Sequence, residues 1–282
     1  MAPASARRPT TRTVVLDRAL ERLPLFRLSD SAGEEGALQF VPGVGARWRV
    51  LPAPGDRLPG TFDQDVYVGL LRLWGDAGHP EDGAVTFTLH AFLRLLGRRA
   101  DGRTYEQLRA SLTRLERTTL ESTAAYGQPD AAGAVTPADL RFTLLASVVI
   151  ERRRPAGAAD QLALFPELAA GEPGDARVVL APAVRANVAA GHVASLGWVR
   201  YQQLGSPVAR RVYRLLTALL PRGGGHEAPL ERWAEQLPLA QRYPSHLQRV
   251  LQPAHEQLRT VGAVKSATVE QRGREWWVRY EV

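Results

Sequence analysis

The stretch Gly102–Glu121, GRTYEQLRASLTRLERTTLE, most constrains what this chain can fold into. Tyr105, Leu108, Leu112 and Leu115 recur at helical spacing, which predicts an amphipathic helix with one apolar stripe. Arg103, Gln107, Ala110, Arg114 and Arg117 project from the other side. The β-branched pair Thr118 and Thr119 then begins an extended segment. Such a unit buries one face and offers a basic face outward. For one helix alone, a solvated arginine face is the simpler reading. A second unit of the same layout near the C-terminus shifts the balance.

Charge is distributed unevenly. Residues 1–181 carry 22 Arg against 22 Asp or Glu, whereas residues 182–282 carry 13 Arg plus Lys265 against seven Glu and no Asp. The whole net charge of +7 therefore falls in the last third, a field that attracts polyanions. The 282 residues suffice for two domains, and a 45% hydrophobic share is enough to bury real cores. The chain has no cysteine, which excludes disulfide scaffolds, thiolate catalysis and cysteine-ligated metals. No apolar run approaches the roughly 18–20 residues of a membrane span. The opening MAPASARRPTTRT lacks the apolar core of a secretory signal and reads as a disordered basic arm. A cytoplasmic protein with no membrane contact is the expectation.

The chain divides into an arm and irregular or hairpin segment (1–60), a first compact unit (61–181) and a second, basic unit (182–282). A short helix is expected over Val14–Leu23, and Leu38–Val41 can pair with Arg47–Leu51. In the first unit, Phe62, Val66, Leu70, Leu71 and Trp74 predict a helix, with Thr61 or Asp63 as cap. Val85–Phe87 reads as a strand. A helix follows with Leu89, Phe92, Leu93 and Leu96, then the Tyr105 helix. Thr119–Tyr126 and Leu140–Arg153 are expected to form the closing hairpin, followed by a long Ala/Gly/Pro-rich connection over 155–175. Arg177–Leu180 reads as a strand, Ala183–Ala190 as a helix and Val193–Leu204 as extended. The second unit opens with Ser206 as cap and Pro207 at the first helical position. A short helix spans Pro229–Leu237, and a third runs from Pro244 to about Val261 with Leu247, Val250, Leu251, Ala254 and Leu258 on one side. Pro253 should kink or split it. Strands Val264–Glu270 and Glu275–Val282 close the unit, with Trp276 and Trp277 on alternate faces. Helix, strand, helix, helix, hairpin is the order of a winged helix, so the expected fold is α+β with two tandem winged-helix domains.

Motifs for catalysis are missing. The only lysine, Lys265, has no upstream glycine pattern, so no phosphate-binding loop is present. The six histidines (79, 90, 192, 226, 246, 255) never stand one residue apart, as a metal-dependent nickase requires. HExxH and GxSxG are absent, and Asp63 and Asp65 read as first-turn helix residues. The chain is expected to be no enzyme and to use no cofactor or metal. In a winged helix the third helix enters the major groove. Ser245, His246, Gln248, Arg249, Gln252 and Arg259 would face DNA there, with Arg249 bonding guanine and Gln248 or Gln252 adenine. Arg210, Arg211, Arg214, Arg272 and Arg274 would meet phosphates, as would Arg103, Arg109, Arg114 and Arg117 of the first unit.

These residues resemble a family. Phe62-Asp63-Gln64-Asp65-Val66-Tyr67, Val85-Thr86-Phe87-Thr88, Gly102–Leu108, Leu112-Thr113-Arg114-Leu115 and Thr118-Thr119-Leu120 are similar to the plasmid replication initiator protein A family. Leu23–Leu28 fits its N-terminal pattern, and Leu204–Leu216 resembles a helix of iteron-binding initiators. The resemblance implies two winged helices, the first for dimerisation and DNA backbone contacts, the second for reading direct repeats (iterons) at an origin. It implies double-stranded origin DNA and host initiator or helicase proteins as partners, association with the nucleoid or a plasmid, and a homodimer in equilibrium with monomer. A transcriptional repressor on the same fold, including autorepression, is the alternative. A nickase or primase is disfavoured by the missing motifs.

Overall fold

The computed structural model describes residues 13–29, 36–130, 132–152, 173–239 and 243–282. The expected arm before residue 13 and most of the expected 155–175 connection lie outside the described residues. In chain order the first elements are β1 (Thr13–Asp17), α1 (Arg18–Glu21), β2 (Leu38–Gly43) and β3 (Ala46–Leu51). Next come α2 (Thr61–Asp76), β4 (Ala84–Thr88), α3 (Leu89–Leu95), α4 (Gly102–Arg117), β5 (Thr119–Pro129), β6 (Val135–Phe142), β7 (Leu145–Arg152) and β8 (Pro173–Leu180). The rest are α5 (Pro182–Ala189), β9 (Val193–Gly197), α6 (Trp198–Gln203), α7 (Pro207–Leu219), β10 (Gly225–Pro229), α8 (Leu230–Glu235), α9 (Pro244–Thr260), β11 (Ser266–Arg272) and β12 (Glu275–Glu281).

Helix and sheet are mixed, and one arrangement occurs twice. α2, β4, α3, α4, β7 and β8 build a three-stranded antiparallel sheet in the order β4-β8-β7. α7, β10, α8, α9, β11 and β12 build another in the order β10-β12-β11. In both, the first strand pairs with the last, and the last with the middle one. Buried apolar side chains from both units, from Val14 to Tyr280, form one cluster. In the first unit Gly69 lets α2 approach α3: a Cβ there would meet Leu96 Cδ2 at 2.7 Å and the Phe92 ring at 3.0 Å.

Several expected elements are corrected. Val14–Leu23 is not one helix: Val14 and Leu16 bury one strand face as β1 pairs with β9, and Asp17 then caps α1. The cap of α2 is Gly60, while the Asp63 carboxylate accepts from the Gly60 N–H at 2.6 Å. Thr119–Tyr126 pairs with only the first residues of the expected Leu140–Arg153 strand, Leu120, Glu121 and Ser122 lying opposite Phe142, Arg141 and Leu140. β5 lies between β3 and β6 in a four-stranded sheet, β2-β3-β5-β6. Leu140–Arg153 is divided by Thr143, whose hydroxyl turns back to the Leu145 carbonyl at 2.7 Å, so β7 departs to pair with β8. Val193–Leu204 is half helix: Trp198 and Tyr201, three apart, are both buried along α6.

Asp17 joins three elements. Its buried carboxylate accepts from the N–H groups of Ala19 and Leu20, from Asn187 Nδ2 at 3.0 and 3.1 Å, and from the Tyr126 hydroxyl. Burial pushes this carboxyl up to about 6, with those hydrogen bonds pulling the other way.

Candidate nucleic-acid interface

α9 presents an open polar face. Pro244 opens it with a preset φ, and Leu247, Leu251, Ala254 and Leu258 are buried beneath it. Ser245, Arg249, Gln252 and Arg259 are exposed along the outer side, with Gln248 and His246 half-buried between them. Arg249 Nη2 lies 3.3 Å from His246 Nδ1. The helix is continuous across Pro253, contrary to the expected break. Pro253 and Arg249 are both exposed, and the proline leaves the Arg249 carbonyl without its N–H donor one turn on. His255 faces inward, its Nε2 2.8 Å from the Tyr280 hydroxyl. Burial, with Arg259 adding, holds this histidine down at about 4, so it is neutral at physiological pH.

The β11–β12 turn divides the two arginines expected there. Arg274 is exposed at the turn. Arg272 instead lies on the outer face of the sheet, bonded to Glu227, 3.6 Å from Glu270 and over the Trp277 ring at 5.4 Å. Trp276, on the opposite face, packs against the core. Arg272 is therefore part of a neutralised surface cluster, not a bare phosphate contact.

The three arginines of α7 are not on the surface as expected. Arg214 is fully buried and donates to both Glu21 carboxylate oxygens at 2.8 and 2.9 Å and to Gln64 Oε1 at 3.1 Å. It also stands over the rings of Phe26 at 5.3 Å and Tyr67 at 5.8 Å. Burial opposes its charge, and Glu21, helped by Tyr201 and Tyr67, more than offsets that. Arg211, buried beside it, donates to the carbonyls of Glu21 (2.8 Å), Leu23 (3.1 Å) and Gln236 (3.2 Å). Burial, followed by the nearby Arg214, lowers its pKa to about 9. Arg210 bonds the Asp65 carboxylate and the Leu204 carbonyl (2.8 Å) and covers the Tyr201 ring at 5.3 Å. Asp65 also accepts from the Tyr201 hydroxyl at 3.0 Å. These side chains join the second unit to α1 and α2 and cannot meet phosphates without breaking that joint.

The first unit repeats the lesson on α4. Arg114 is buried against Asp63 at 2.6 and 2.8 Å, so its expected phosphate contact is also withdrawn. Arg103 and Arg117 are exposed, Arg117 lying 3.4 Å from Asp56, and half-buried Arg109 bonds Glu106 at 2.6 Å. The structural roles of Glu21, Gln64 and Asp65 had only one signal in the sequence: charged or amide groups within otherwise apolar helical segments.

Residues 16–236 match the family model described as Replication initiator protein A. No curated protein is significantly similar in sequence. Among solved structures, the SeMet crystal structure of domains 2 and 3 of RctB superposes with a TM-score of 0.58 at 13% identity, covering 90% of this chain and 94% of that one. A second crystal structure of RctB domains 2–3 gives 0.54 at 12% identity, covering 94% and 96%. At such identities the likeness is one of fold. With the match covering most of its length, this chain belongs to the replication initiator protein A family.

Proposed function

We propose that this protein initiates replication of a plasmid or secondary replicon by binding direct repeats at the origin through two winged helices, without itself catalysing a reaction. The observation that carries the reading is the twofold occurrence of one layout, helix-strand-helix-helix-strand-strand with the same sheet order, in a member of an initiator family. That is the order of a winged helix, whose third helix enters the major groove. α9 fits that role best, because Ser245, Gln248, Arg249 and Gln252 lie along its accessible side. Arg249 reads guanine and a neighbouring glutamine reads adenine. Arg103, Arg109 and Arg117 on α4, with Arg259 and Arg274, contact backbone phosphates.

The protein forms a homodimer in equilibrium with monomer. β2, at the edge of its sheet, and exposed Val41 on that strand support this role. At the origin it works in the cytoplasm beside host replication factors, which it recruits.

Footprinting on direct repeats near the coding gene, combined with transformation by a repeat-bearing replicon, tests the reading. Protection of each repeat and protein-dependent replication are expected. Protection of a single promoter palindrome without replication would make the protein a repressor. Nicking of supercoiled DNA in Mg²⁺ would contradict a non-catalytic role.

A further inference from the structure

A cleft of about 410 Å³ opens between the first residues of α8, the start of α9 and the β11–β12 turn. This is within the roughly 300–1,000 Å³ range of small-ligand sites. Tyr243 and Trp276 supply aromatic surface and Leu247 an apolar floor, while Glu231, Glu275 and Arg274 line the cleft as charged groups. Tyr243 is 52% exposed, and its ring centroid stands 5.5 Å from that of His246. Arg274 stands at the rim on the β11–β12 turn as the one cation among these lining residues, so the rest of the cleft offers aromatic and carboxylate groups. Aromatic faces stack with any base, and a carboxylate accepts from the exocyclic amine of cytosine.

We propose that this cleft holds one unpaired base of single-stranded DNA, stacked on Tyr243 and Trp276, with Glu231 bonding its amine and Arg274 its backbone. The proposal rests on the origin-binding reading above. A base in a duplex is closed in by its stacked neighbours, so it enters such a cleft only when the strands part. Opening of an origin produces such bases beside the bound protein. The cleft would thus retain one strand after α9 has located the site.

Fluorescence anisotropy on the full-length protein, with labelled oligodeoxycytidine of roughly 12 nucleotides and a labelled repeat duplex as separate probes, tests this. Tyr243→Ala, at an exposed side chain, should weaken single-strand binding by about 5- to 100-fold and leave duplex affinity and thermal midpoint unchanged. Glu231→Ala should reduce the preference for oligodeoxycytidine over oligothymidine. Equal losses on both probes in Tyr243→Ala, or single-strand binding indifferent to that change, would overturn the cleft. Wild-type protein that binds duplex only would overturn it while leaving the origin reading in place. Protein that binds neither probe would overturn both.

Discussion

Arginine on this chain has two opposite uses, and burial separates them. Arg211 and Arg214 are enclosed by Glu21, backbone carbonyls and aromatic rings, whereas Arg249 is open. Removing one partner of a buried pair strands the other charge, at a cost of about 3–5 kcal/mol. Arg214→Ala should therefore lower unfolding free energy by about that amount in urea titration, with an unchanged salt slope for whatever folded protein binds DNA. A reduced salt slope without loss of stability would return Arg214 to the interface. The sequence could not show this distinction, because Glu21 and Asp65 lie 193 and 145 positions away from their arginines. A basic helix face looks the same whether solvent or a distant carboxylate awaits it.

Two buried titrating groups make a second residue-scale prediction, with opposing signs. Asp17 has a folded pKa of about 6, above the unfolded 3.8, so the folded state holds the extra proton between them. Its contribution is most favourable at low pH and declines by roughly 3 kcal/mol as pH rises through 6. His255, held at about 4 against an unfolded 6.5, has the reverse slope and loses stability as pH falls through that window. Asp17→Asn should thus gain on wild type as pH rises from about 4 to about 6, and alone should show the acid loss caused by His255. Denaturant midpoints at several pH values check this; parallel curves would contradict it.

At the scale of elements, the long helices and the β2–β3 and β11–β12 hairpins were legible, and the partners of the remaining strands mostly were not. The stripes of Leu108, Leu112 and Leu115 on α4, and of Leu247, Leu251 and Leu258 on α9, are buried as periodicity predicts. β5 was recognised as a strand, but its neighbours are β3 and β6, and the neighbour of β7 is β8 across residues 153–172. Periodicity reports which face is apolar and says nothing of which strand lies alongside. The continuity of α9 across Pro253 yields a test. Pro253→Ala restores a donor for the Arg249 carbonyl and should stabilise by about 1–3 kcal/mol, less the entropy returned to the unfolded chain. The thermal midpoint should rise by several degrees. An unchanged or lower midpoint would mean that the surrounding packing requires the proline.

Across the whole molecule, the two units share one core and are tied by side chains that cross between them: Arg214 to Glu21 and Gln64, Arg210 and Tyr201 to Asp65. The carboxylates of the first half thereby neutralise arginines of the second. The +7 of residues 182–282 is real as a count, yet part of it is spent inside. What remains accessible includes Arg200, Arg222, Arg249, Arg259, Arg274 and Arg279. The expectation of a basic second unit thus survives in a smaller set of positions. Glu21→Gln should loosen both units together and produce a single earlier unfolding transition by calorimetry; two separated transitions would mean that the joint is not shared.

In the proposed function α9 reads DNA, while α7 holds the protein together. The most direct test of that division is titration of Arg249→Ala against a repeat duplex and a random duplex of equal length. A loss of about 1–3 kcal/mol on the repeat, relaxed preference at one base position, and unchanged stability are expected. Equal weakening on both duplexes, or no weakening on either, would contradict it.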